Sequence, residues 1–205
     1  MQLCFNLFIF AFTLSHIALA QNRIGNGGDI VICPHNKPII LDFYENQSNL
    51  IQNNSDDYKE IIKSRIALLE KANPKLSDQY KRRLLQIENE IEFKKNITLV
   101  DVKDSEHLFE PKDKKCKLNQ IAIRKNNTIG NEKRFIIDEE LWSKMDNINK
   151  AGLIMHEIIY EHFYNLGEKN STKARKLNNY LFSLNFDKSN FWKLIQELKI
   201  PIYSN

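Results

Sequence analysis

The chain has 205 residues, 42% of them hydrophobic and 27% charged, with a formal net charge of +4. That mixture excludes a disordered polyelectrolyte and supplies enough apolar material for one buried core. Basic and acidic residues are interspersed, with Lys112 to Lys117 the one local basic cluster, so a nucleic-acid partner is not expected.

Residues 1–20 read as an export signal: an apolar run from Leu3 to Leu14, then Ala18-Leu19-Ala20 at the positions a signal peptidase reads. Cleavage before Gln21 would leave residues 21–205 as a single domain in the periplasm or outside the cell. The leader carries no Lys or Arg, and its length approaches the about 20 residues of a membrane helix, so an uncleaved anchor is the alternative. After cleavage nothing later is apolar enough to span a bilayer. The mature chain keeps Cys33 and Cys116, which in an oxidising compartment read as a disulfide, against two free buried thiols.

Gly25-Asn26-Gly27-Gly28-Asp29 precedes a β-branched run, whereas a phosphate-cradling loop would join a strand to a helix. Its glycines suit a close backbone approach, and Asp29 is its one candidate ligand or base. Asp29–Cys33 and Pro38–Phe43 predict a hairpin across Pro34–Lys37, with His35 exposed at the tip. After a polar loop, Tyr58, Ile62, Ile66 and Leu69 form one helical stripe and Tyr80, Leu84, Ile87 and Ile91 a second, broken at Asn73-Pro74. Asp56-Asp57 and Ser77-Asp78 sit at their expected starts. This helical hairpin, residues 56–93, either packs on the core or offers a face to a protein partner.

Ile97–Val102 predicts a strand, and a charged loop containing His107 leads to Cys116. Asn119–Arg124 and Arg134–Asp138 predict paired strands across an Asn126–Asn131 turn, after which Asp138 caps a short helix, Glu139–Met145. The longest apolar stretch of the mature chain, Asn147 to Gly167, predicts a helix greasy on both sides and therefore central. At 100° per residue His156, Glu157, Tyr160 and Tyr164 share one flank, and Met155, Ile158, Ile159, His162 and Leu166 the other. Ser171 or Thr172 opens a helix with Ala174, Leu177, Leu181 and Leu184 inward, and Asp187–Leu198 forms the last one. The expected fold is α+β: a small, mostly antiparallel sheet packed with helices on one face, including the helical hairpin and the buried central helix.

The order of Gly25–Cys33, Leu41–Glu45, Cys116 with Gln120–Ile123, Leu141-Trp142 and Leu153–Tyr160 resembles a group of exported bacterial proteins without an assigned activity. That resemblance implies export and a shared fold, and no reaction. The helix is also similar in part to the His-Glu-x-x-His zinc peptidases, in which two histidines hold zinc and the glutamate activates water. His156 and Glu157 match, but Tyr160 stands at the second ligand position, and His162 points about 120° away from His156. Zinc at His156 would need His35, His107 or a carboxylate such as Asp29 to complete the ligand set.

Three readings follow for this cluster. As a structural network, His156, Glu157 and Tyr160 fix packing, with Arg175 or Arg124 neutralising Glu157 and Tyr164 in the core. As a metal-free catalyst, Glu157 is the base, with His156 and Tyr160 as acid or oxyanion donor. As a zinc hydrolase, His156 is a ligand and Glu157 the base. The first reading, a non-catalytic binding or structural protein without a cofactor, is the primary expectation. The degenerate zinc hydrolase is its rival, so enzyme status stays open.

Overall fold

The computed structural model describes residues 23–45, 49–52, 55–99, 110–125 and 132–202. The leader, His107, the 126–131 turn and the Asn46 and Asn53 regions lie outside these described residues. Strand β1 (Arg23–Ile32) pairs antiparallel with β4 (Lys117–Lys125), from Arg23 opposite Lys125 to Ile32 opposite Lys117. With β2 (Ile39–Ile40), β3 (Ile91–Lys94) and β5 (Phe135–Asp138) they form a five-stranded sheet of order β2-β1-β4-β5-β3. Every neighbouring pair is antiparallel except β3 with β5. With the seven helices of the described residues, this sheet makes the fold α+β.

The glycine cluster lies inside β1 and not ahead of it, because the strand already begins at Arg23. The register slips between Ile24 and Asp29, and a Cβ on Gly28 would stand 2.4 Å from both Cβ and N of Ala122. Only a residue without a side chain permits that approach. Gly28→Ala is expected to cost about 1–3 kcal/mol through overpacking, read as a lower urea midpoint at unchanged slope.

The β1–β2 hairpin forms, with His35 exposed at its tip in a left-handed conformation (φ 64°). The second strand is shorter than the sequence suggests: after Ile40 the chain turns into helix α1 (Leu41–Glu45). Leu41, Asp42 and Phe43 are all buried, a demand a strand with alternating faces meets less readily than a helical turn does. The Ile40 N–H donates to Asn149 Oδ1 (3.0 Å).

Helices α2 (Tyr58–Ala72) and α3 (Pro74–Ile87) make the antiparallel hairpin. Asp57 caps the first. Asn73 caps the second, accepting from Leu76 N (3.1 Å) with Pro74 in the first turn, so α3 starts before Ser77-Asp78. Ser77 is instead buried and donates to the Ile66 carbonyl (2.8 Å), tying the two helices together. Ile91 leaves the helical stripe and opens β3; of the expected Ile97–Val102 strand, residues 97–99 have no regular structure and 100–102 lie outside the described residues.

Asp138 closes β5 and caps α4 (Glu139–Lys144) by accepting from Glu140 N and Leu141 N. Asp146 then caps α5 (Asn147–Asn165), in which every residue from Ala151 to Glu161 is buried. Gly167 (φ +98°) stops it, and Glu168 N donates back to the Phe163 carbonyl. Helix α6 (Thr172–Leu181) ends early enough to leave Leu184 exposed, contrary to the inward position its spacing suggests. Asp187 caps α7 (Lys188–Leu198).

One apolar cluster joins α2, α3, α5, α6 and α7 to the sheet. A smaller one gathers Val31, Leu41 and Cys116 around the Cys33–Cys116 disulfide, whose sulfurs are 2.01 Å apart. Among the described residues no helix is long and apolar enough to cross a membrane. The disulfide and that absence are compatible with export.

Candidate functional site

The 3.6-residue period of α5 brings His156, Glu157 and Tyr160 onto one flank, and packing seals that flank. Their exposures are 1%, 4% and 1%. His156 Nδ1 is 2.8 Å from Asp42 Oδ2, and Asp42, on α1, is 2% exposed. Asn178 on α6 donates from Nδ2 to the same Asp42 oxygen (2.7 Å) and to the Gly152 carbonyl (2.9 Å). Asn179 donates to the Asp42 carbonyl (3.2 Å). Arg175 donates from Nε to Glu45 (3.0 Å) and from Nη1 to Ser171 (2.6 Å). The short helix α1 is thus held by α5 and α6 through hydrogen bonds that are shielded from water.

The cation facing Glu157 is Arg124 of β4, not Arg175. Its buried guanidinium lies 5.2 Å from the Tyr160 ring centre and 5.0 Å from that of Tyr164. Tyr164, expected in the core, is 41% exposed, because the helix emerges at its last turn and the ring caps Arg124 from outside.

Burial pushes the Glu157 carboxyl above its usual value, against the opposing charges of His156 and Arg124. For His156, burial works against the charged ring, but the charge and hydrogen bond of Asp42 outweigh it, and the net shift is upward. A group whose folded pKa is raised stabilises the fold below its unfolded pKa and loses that contribution as pH rises through the folded one. Both groups therefore favour the fold on the acid side of their titrations. His162, lowered by burial, acts oppositely below its ordinary value of 6.5. Unfolding free energy is expected to fall as pH rises above the ordinary histidine value of 6.5, and His156→Gln to flatten that fall, as read by urea denaturation across neutral and mildly alkaline pH.

Among the described residues the ligand set that zinc would require does not come together, and His107 lies outside them. Among the described residues no group of three His, Cys, Asp or Glu is placed to hold a metal ion. Asp29 lies opposite Gln120 in the sheet and His35 stays at the exposed hairpin tip. Arg124 adds a positive charge beside Tyr160, which would repel a bound cation.

Asp42 and Asn178 are the partners that sequence reasoning missed. Both left a trace: Asp42 is a lone carboxylate in the apolar run Pro38–Phe43, and Asn178 follows Ala174 by four positions on the inward stripe of α6.

On the other flank of α5 a cleft of about 250 Å³ opens against α3. Tyr80 Oη there lies 3.1 Å from His162 Nδ1. Arg83 grips Glu90 with both terminal nitrogens (2.9 and 2.8 Å) and Glu161 with Nε, and Arg134 pairs with Glu161 as well. A wider recess of about 530 Å³ lies between the β1–β2 turn and α4, beside His35, Lys37 and Lys144. Neither cavity is lined by His156, Glu157 or Tyr160. The α2–α3 hairpin packs on α5 mainly through α2, with α3 joined to it at Tyr80 and Arg83, and leaves Leu85 outward.

Fold and site together define an α+β protein with a sealed polar centre on one flank of its central helix and a polar cleft on the other. Compared with known proteins, the chain matches no family model, no curated protein and no solved structure.

Proposed function

We propose that the chain is an exported, non-catalytic protein that acts by binding, in which His156, Glu157 and Tyr160 form the buried polar centre of the fold and carry no reaction. The observation behind this reading is that all three are almost completely buried while His156 Nδ1 is already committed to Asp42. A general base must come within hydrogen-bond reach of its proton, and a side chain sealed on every side offers a substrate no such approach. Export, to the periplasm or beyond the cell, is supported by the Cys33–Cys116 bond, which persists in oxidising compartments, and by the leader-like residues 1–20. The resemblance to exported bacterial proteins points the same way.

One observation favours the rival, a metal-assisted hydrolase with His156 as ligand and Glu157 as base. His156 Nε2 has no partner among the described residues while a carboxylate orients the other ring nitrogen, the arrangement that usually backs a zinc-bound imidazole. Elemental analysis of protein purified without chelator separates the two. The binding protein is expected to carry no stoichiometric zinc; zinc at one per chain, lost in His156→Ala, would establish the hydrolase instead.

A further inference from the structure

We infer that the cleft between α3 and α5 binds a small hydroxylated carboxylate, in chemical class a sugar acid; this deepens the binding role proposed above and rests on it. The walls follow from helical spacing. Ile158, His162 and Asn165 recur at i, i+4 and i+7 on α5, and Gln79, Arg82, Arg83 and Gln86 at i, i+3, i+4 and i+7 on α3, so two stripes face one another. The space of about 250 Å³ is roughly eight times the share of one liquid water, room for a single monosaccharide.

Its hydrogen-bonding groups favour an anion. Arg83 is fully engaged by Glu90 and Glu161, and Arg134 takes the remaining oxygen of Glu161. Three guanidinium groups thus stand against two carboxylates, and the unspent one is Arg82, an exposed cleft residue with no hydrogen bond or ion pair among the described residues. Tyr80 and His162 add a donor. Burial keeps the phenol protonated, and its O–H has no other partner than His162 Nδ1, so the neutral imidazole carries its proton on Nε2. A carboxylate can then sit between the Arg82 guanidinium, a charge-matched donor, and the neutral His162 Nε2–H, a second donor. The exposed carboxamides of Gln79, Gln86 and Asn165 have no partner among the described residues, and each both donates and accepts, as ring hydroxyls do. A bare phosphate would make poor use of those three amides and of the Ile158 floor.

The test is calorimetric titration of the full disulfide-bonded protein with D-glucuronate, with D-glucose and inorganic phosphate in parallel, together with long-range proton–nitrogen spectra of His162. D-glucuronate is expected to bind saturably and shift the His162 Nε2 resonance, and to bind at least about tenfold more tightly than D-glucose. Arg82→Gln, a change at an exposed position, is expected to weaken binding about tenfold or more, and Arg82→Lys to restore part of it. No saturable binding at millimolar D-glucuronate, binding unchanged in Arg82→Gln, or phosphate binding as tightly as D-glucuronate would each overturn the assignment. Those failures leave the non-catalytic reading standing; it falls only to stoichiometric zinc held by His156.

Discussion

Asp42→Ala is expected to lower the unfolding free energy by about 3–5 kcal/mol, measured by urea denaturation of the oxidised protein near neutral pH. Asp42 accepts from Asn178 and bonds the ring of His156, and all three are buried. Removing it strands two polar side chains that cannot reach water, and it takes away the charge that holds the His156 pKa up. Asp42→Asn, which keeps the oxygen but loses the charge, is expected to cost less and to flatten the pH dependence much as His156→Gln does. A loss under about 1 kcal/mol for Asp42→Ala would place the cluster outside the forces that hold the fold, and would remove the reason for reading it as structural.

Replacing both Cys33 and Cys116 by Ser is expected to cost a similar amount, about 4–5 kcal/mol, because the bond closes a loop with a sequence separation of 83. Set against the roughly 5–15 kcal/mol that separates folded from unfolded small domains, either change alone brings this protein close to its limit. Calorimetric melting with and without reductant checks the disulfide; an unchanged melting temperature after reduction would show that the small cluster of Val31, Leu41 and Cys116 holds the strand ends without it.

Much of this architecture could be read from one-dimensional pattern. Helix α5 was legible because apolar residues recur around its whole circumference and nothing interrupts them before Gly167. The α2–α3 hairpin was legible because Asn73-Pro74 both ends one helix and starts the next. Errors cluster where local preference and tertiary demand disagree. Leu41-Asp42-Phe43 looks extended, yet burial of all three together favours a helical turn. Ile91–Lys94 continues a helical stripe in sequence, and its pairing with β5 makes it a strand. At the site, the residue types on α5 were visible, but their partners were not. Asp42 and Asn178 lie 114 and 22 positions from His156 in opposite directions, and no periodicity spans either gap. Arg124 was correctly placed beside Glu157 as an alternative to Arg175, which serves Glu45 instead.

Helix α1 has only five residues, too few to persist on intrinsic propensity, and its anchors are all synthesised late. The Ile40 amide waits for a residue 109 positions on, and the Asp42 carboxylate for one 136 positions on. A nascent chain therefore keeps this segment from its buried partners until α6 arrives, so α1 cannot mature ahead of the rest. A single protease cut between α5 and α6 would loosen residues at the far end of the sequence before it disturbed those next to the nick.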